Sequence, residues 1–237
     1  MESNFNDIID VILTFNKNEE LSKNIAVSGS IVPYIVTNKE SLECHTDFYF
    51  LVKHKKINDV RDIIKKLSKE YMFDIVSDSK KYSASDYGFK IKYENTVVGF
   101  FPYSIVDNNF TIRTFSITKG KKEAGLKTKV IPNITKSSVI RYVNFNCDDK
   151  IRIVSPEFIL ASKEMSERKP GNPTPETMKL LREVCDESVL QALRENISKA
   201  KVNVEYRKSK KFDYKFVLIV IFLVAILIFL AYKCFKK

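Results

Sequence analysis

The chain lacks several things that would point to particular classes of protein. Glycine occurs only six times in 237 residues, too rarely for a flexible linker, while 17 phenylalanines and 11 tyrosines describe a packed body. The four cysteines (Cys44, Cys147, Cys185 and Cys234) are far apart and form no Cys-x-x-Cys pair. That spacing argues against a zinc site and suits a reducing compartment. The N-terminal Met-Glu-Ser-Asn-Phe-Asn-Asp is acidic and polar, not the basic and apolar start of a signal peptide. There is no internal repeat, and no low-complexity segment outside the C-terminal tail.

What is there begins with that tail. Phe216 to Tyr232 is an uncharged apolar run of 17 residues, followed by only five more. As a helix it spans about 25 Å, the short end of what crosses a bilayer. Lys215 and Lys233 bracket it and can snorkel to headgroups, and Tyr214 and Tyr232 sit where interfacial aromatics belong. A buried core helix is the other reading; against it, the run has no polar stripe and little follows to bury it. The run is expected to be a transmembrane helix. The basic cluster Lys199, Lys201, Arg207, Lys208, Lys210, Lys211 and Lys215 outnumbers Lys233, Lys236 and Lys237 on the other side. The body is therefore expected on the cytoplasmic face, tethered by its tail. Cys234, beside the run, reads as an inert thiol, with acylation the alternative.

The net charge of +11 divides unevenly. Residues 206–237 hold eight Lys or Arg and one Asp, a net of +7, which leaves +4 on the first 205 residues. Much of the basicity thus flanks the expected membrane segment, and nucleic acid is not an expected partner. Lys119, Lys121, Lys122, Lys127 and Lys129 read as a solvated basic loop, because no aromatics interleave them.

Periodicity predicts a helix from Asn4 to about Phe15 and a strand over Ile25–Ser28 running into Gly29-Ser30. A short helix follows over Ile31–Val36, then a strand over Thr46–Val52 and an amphipathic helix carrying Ile57, Val60, Ile63, Ile64, Leu67 and Tyr71. Strands are predicted over Phe73–Ser77, Gly88–Tyr93, Thr96–Pro102, Phe110–Thr118, Val139–Asn144 and Ile151–Val154. Ser155-Pro156-Glu157 and Thr174-Pro175-Glu176 each read as a cap followed by proline at the first helical position; Asp186-Glu187 opens a third helix with Val189, Leu190, Leu193 and Ile197. Lys169-Pro170-Gly171-Asn172-Pro173 is a loop. The expected fold is α+β: a mixed domain over 1–154, a helical part over 155–200, a basic juxtamembrane linker over 201–215, the transmembrane helix over 216–232 and a short tail over 233–237.

The stretch that carries chemistry is Val-Ser-Gly-Ser (Val27 to Ser30), followed by His-Thr-Asp-Phe-Tyr-Phe-Leu-Val (His45 to Val52). A strand, a Gly-Ser turn, a short helix and a second strand with an acidic residue resemble the nucleotidyltransferase fold of the DNA polymerase β-like superfamily. The run from Gly29 to Ser41, together with Asp86-Tyr87-Gly88-Phe89, Val97 to Pro102 and Ser155 to Lys163, is similar to small bacterial nucleotidyltransferase-like proteins related to abortive-infection toxins. The resemblance covers about residues 1–200. It implies that Gly29 and Ser30 cradle nucleotide phosphates and that Lys163 faces the nucleotide. It also implies an Asp-x-Asp pair on the second strand and a third carboxylate on a later one, together gripping two Mg²⁺ ions about 3.5–4 Å apart.

Asp47 matches the first of those aspartates, but Tyr49 occupies the second position and the Val97–Pro102 strand has no Asp or Glu. A phenol is neutral at pH 7 and a poor Mg²⁺ ligand. Asp47, His45 and Tyr49 are expected to share one strand face, and Glu43 or Asp86 could substitute from an unexpected direction. For each residue a plainer role stands beside the implied one. Gly29-Ser30 is otherwise a tight turn, Asp47 a solvated or capping acid, His45 a polar-core histidine, Lys163 a surface lysine and His54 a solvated residue among lysines. The expectation is a membrane-tethered, nucleotidyltransferase-like protein with a degenerate metal site, acting in nucleotide binding or regulation. No cofactor is required; Mg²⁺ and a nucleoside triphosphate are implied if activity remains. An active nucleotidyltransferase and a purely structural module that binds a protein partner are the alternatives.

Overall fold

The computed structural model of the protein describes residues 4–45, 48–71, 74–78, 85–94, 96–117, 123–146, 149–165 and 174–208. Helix α1 (Phe5–Lys17) buries Phe5, Ile8, Val11, Ile12 and Phe15 along one stripe, and α2 (Glu19–Asn24) follows under an Asn18 cap that accepts from Leu21 N. Strand β1 (Ile25–Ser28), α3 (Val32–Thr37), β2 (Tyr49–Lys53) and α4 (Ile57–Tyr71) come next. Then come β3 (Asp74–Asp78), β4 (Phe89–Tyr93), β5 (Thr96–Val106), β6 (Asn109–Ile117) and β7 (Glu123–Ile131). A single turn of helix, α5 (Lys136–Val139), leads to β8 (Ile140–Phe145) and β9 (Asp149–Val154). Helices α6 (Pro156–Glu164), α7 (Pro175–Val184) and α8 (Glu187–Ser198) and strand β10 (Lys201–Lys208) complete the order.

The fold is mixed α and β around one large mixed sheet in the order β10-β7-β6-β5-β2-β1-β9-β8, with β3 and β4 paired beside β5. β1 runs antiparallel to β2, whereas β2–β5 and β1–β9 are parallel. Parallel strands need crossovers, and α4 with the β3–β4 pair supplies the one between β2 and β5. Alternation gives β2 and β5 two different faces. On one, Phe50 and Phe100 stack at 5.1 Å, Phe15 of α1 packs on both at 5.5 and 5.9 Å, and Phe89 lies parallel to Phe100 at 4.6 Å. On the other, Tyr103 stacks on Phe110, which meets Phe158 of α6 at 5.0 Å. Buried Arg152 crosses that second face, donating to the carbonyls of Lys23 and Ile25 and to the Tyr103 hydroxyl.

The three C-terminal helices start at the caps their sequences predict. Ser155, Thr174 and Asp186 accept from Phe158 N, Thr177 N, and Ser188 N with Val189 N. Three readings need correction. The part of the expected basic loop that carries Lys127 and Lys129 is β7, and the first half of the expected juxtamembrane linker is β10. In both, apolar or small residues alternate with charged or polar ones at a period of two, which a count of charges hides: Leu126, Thr128 and Val130 around Lys127 and Lys129 in β7, and Val202, Val204 and Tyr206 between Lys201, Asn203, Glu205 and Arg207 in β10. The third is the strand expected from Thr46, because β2 begins at Tyr49 and residues 46–47 lie outside the described part.

Residues 1–207 form one compact unit, and a second begins at Lys208. Among the described residues no helix is long and apolar enough to cross a membrane. The expected transmembrane run 216–232, with Lys215 and Lys233, lies outside the described residues, as does the loop expected over 169–173.

Candidate functional site

The site is built where β1 runs into α3. Gly29 turns the chain at φ +100°, a conformation that costs a residue with a Cβ, and its carbonyl accepts from Val32 N at 3.3 Å. Every residue from Asn24 to Ile35 is buried, the Gly29-Ser30 turn included. The Ser30 hydroxyl lies 2.8 Å from Nδ1 of His45. His45 is itself buried, edge-on to Tyr34 at 5.2 Å and near Phe5 at 6.5 Å. Asn4, at the N-cap position of α1, fixes the His45 backbone. It accepts from His45 N at 2.8 Å and donates to His45 O at 3.1 Å. The Gly-Ser turn is therefore braced from inside the fold, and His45 has the polar-core role. His45 also lies outside β2, so it does not share a strand face with Tyr49 as expected.

Tyr49 opens β2 directly across from Gly99 of β5. Its ring meets Phe101 edge-to-face at 5.7 Å. A Cβ built on Gly99 would stand 2.7 and 2.9 Å from two Phe101 ring carbons and 3.5 Å from the Tyr49 Cβ. The Phe101 ring thus covers the position from which a carboxylate on β5 would reach toward residue 49. Tyr49, Gly99 and Phe101 share this face, and none of the three holds a hard cation. Asp47 lies outside the described residues.

The substitute acids are engaged elsewhere. Glu43 Oε2 accepts from Thr174 Oγ1 at 2.6 Å, Thr177 Oγ1 at 3.0 Å and Tyr34 OH at 3.4 Å, which ties the loop after α3 to the N-terminus of α7. Burial holds the Tyr34 phenol above its ordinary range, so it stays a donor to that carboxylate. Asp86 meets Arg113 at 3.4 Å. His54 is half-buried rather than solvated. Arg113 Nη1 lies 3.0 and 2.8 Å from its two ring nitrogens, and burial followed by that cation lowers its pKa. Lys163 stands in the last turn of α6, half-buried. Lys127 is exposed on β7 and Lys129 half-buried, its pKa lowered by desolvation; Lys119, Lys121 and Lys122 lie outside the described residues.

Among the described residues no group of three or more His, Cys, Asp or Glu side chains is placed to hold a metal ion. Cys44 and Cys185 are free thiols, and burial with the nearby Glu157 pushes Cys185 up to about 12, so it is no nucleophile near neutral pH. A cleft of about 320 Å³ lies beside α8, lined by Asn133, Thr135, Ser138, Ser188, Val189 and Asn196 among others; it contains none of the predicted site residues and no charge. The Glu43–Thr174–Thr177 cluster was not foreseeable, since 131 residues separate Glu43 from Thr174. Phe101 was missed because its place opposite β2 depends on the parallel register.

No protein-family model matches the chain, and no curated protein matches it.

Proposed function

We propose that this protein is a membrane-tethered module of nucleotidyltransferase-like architecture whose metal-dependent chemistry has been lost, and that it acts by binding or regulation. The supporting observation is the aromatic pair at the centre of the sheet. Where the resemblance calls for carboxylates, the chain has Tyr49 against Phe101 above a glycine. Asp47 by itself gives a transferring phosphoryl group little electrostatic stabilisation. The order of strand, Gly-Ser turn, short helix and second strand supports the architectural part of the reading. The segment 216–232 supplies the tether, with the folded body on the cytoplasmic side. The buried Gly29-Ser30 turn, its serine held by His45, favours a partner-binding role over one in which this turn grips phosphates.

Restoring a carboxylate tests the assignment of Tyr49. In an extended chain residues 47 and 49 share a face. Tyr49→Asp would set two like charges side by side, which repel unless a cation sits between them. The variant is expected to unfold at lower temperature than wild type without metal, and to regain several degrees in millimolar Mn²⁺ through binding linkage. Wild type is expected to show no such response. Equal metal responses in the two proteins would mean that Tyr49 does not stand beside Asp47, and the degenerate-site reading would fail.

A further inference from the structure

Two cations meet at the end of β1 away from the Gly29-Ser30 turn. Lys53 closes β2 directly beside Tyr103 of β5, on the face that buried Arg152 crosses. Both cations are fastened to the segment that leads into β1. Arg152 Nη1 donates to the carbonyls of Lys23 and Ile25 at 3.3 and 3.2 Å, and Lys53 Nζ donates to Asn24 Oδ1 at 3.2 Å. Arg152 Nη2 donates to the Tyr103 hydroxyl, whose own hydrogen is left to donate. Every acceptor that these two cations meet among the described residues is therefore neutral. Burying a guanidinium among neutral groups is costly, and a second cation nearby adds repulsion. Lys53 registers both effects. Burial first, then the charges of Arg152, Lys136 and Lys56, lower its pKa, and Glu20 acts weakly the other way. Lys56 is already paired with Asp59, and Lys23 with Glu19, so the uncompensated positive charge centres on Lys53 and Arg152.

We propose that Lys53, Arg152 and the Tyr103 hydroxyl form a binding site for a phosphate group. Lys53 is half-buried and so within reach of solvent, whereas Arg152 is only 5% exposed. The lysine amine and the tyrosine O–H touch the anion, and Arg152 supplies positive charge from behind them, where water screens little. A phosphate group carries nearly two negative charges at neutral pH and three acceptor oxygens. It therefore offsets both cations at once and accepts from both donors, which a chloride or a single carboxylate does not. The phosphate can be free or the ester end of a larger molecule such as a lipid headgroup. The site lies at the opposite end of β1 from Gly29-Ser30 and uses none of the residues of that turn. The inference is thus independent of the nucleotidyltransferase and membrane readings.

The test is thermal unfolding of the full-length chain in mild detergent, in inorganic phosphate or in chloride of equal ionic strength. About 50 mM phosphate should raise the melting temperature of wild type by several degrees through binding linkage. Lys53→Met keeps the apolar stem of the side chain and removes its charge, and should lose most of that rise. Lys179→Met, on an exposed position of α7, should keep it. Phosphate also stabilises folded proteins by exclusion from their surfaces, but that effect acts on all three proteins alike. The phosphorus resonance of inorganic phosphate reads binding without reference to stability. It should broaden with wild type and Lys179→Met, and stay sharp with Lys53→Met. Glycerol 3-phosphate, run in parallel, separates the sources: a rise as large as that with inorganic phosphate points to an ester end, and a response to inorganic phosphate alone points to the free ion. No phosphate-specific rise and no broadening in wild type, or a rise and broadening that survive in Lys53→Met, would overturn the proposal.

Discussion

Replacing Gly88 with alanine is expected to lower the stability of the folded body by about 4 kcal/mol. Gly88 sits at φ +102°, and a Cβ added there would lie 2.0 Å from the backbone oxygen of Phe100. Phe100 cannot retreat. Its ring is sandwiched between Phe89 and Phe50 with Phe15 against it, and its strand is paired on both sides, with β2 and with β4. Backbone strain and the clash therefore add. For a body of this size the loss corresponds to about 10 °C in melting temperature. Gly99→Ala is the contrasting control, because its added Cβ meets the end of the Phe101 side chain, which can rotate, and no backbone atom is among its nearest contacts. It should cost about 1 kcal/mol. Thermal unfolding followed by circular dichroism separates the two; a Gly88→Ala protein within about 1 kcal/mol of wild type would contradict the close approach of Gly88 to the backbone of β5 described by these contacts.

The second large effect concerns the tail. Removing residues 209–237 deletes the whole apolar run and most of its basic flank while leaving intact the unit formed by residues 1–207. The full chain is expected to stay in the membrane fraction through a high-salt wash, and the shortened chain to move almost entirely to the supernatant with its secondary structure retained. Protease added to inverted vesicles should digest the body of the full chain, and protease added to intact cells should spare it. A shortened chain that still pellets, or a full chain soluble without detergent, would remove the membrane tether from the proposal. The opposite protection pattern would reverse the orientation inferred from lysine and arginine placement.

Much of the fold was legible because local chemistry wrote it. Ser155, Thr174 and Asp186 each cap a helix, and a proline after the first two fixes where the helix begins. The amphipathic stripe of Ile57, Val60 and Ile64 marks α4 without help from tertiary contacts. β7 and β10 were illegible for the opposite reason. Their charged and polar residues, Lys127 and Lys129 in β7 and Lys201, Asn203 and Glu205 in β10, occupy alternate positions, so a pattern that reads as a loop or linker is that of a strand. The short α2 escaped too, because six residues bury only Leu21 and Asn24 and present no full period.

The candidate site was legible only in part. The absence of an acid at Tyr49 and on β5 can be read from the sequence itself. What stands at the places where the resemblance would put acids cannot, because it depends on the register that puts Gly99 opposite Tyr49 and folds the Phe101 ring over the glycine. The same holds for Ser30. Its neighbour Gly29 suggests a phosphate-binding turn, whereas its hydroxyl is turned to a histidine 15 residues away inside a cluster of Phe5, Tyr34 and Asn4. Motif spacing describes the backbone path through the turn, and it does not tell which way the serine points.

Loss of metal-dependent chemistry is most directly tested by turnover. The full-length protein in detergent, given each of the four labelled nucleoside triphosphates with Mg²⁺ or Mn²⁺, should release no pyrophosphate above a protein-free control, and Asp47→Ala should leave that result unchanged. A clear rate that Asp47→Ala abolishes would contradict the account and make this protein an active nucleotidyltransferase.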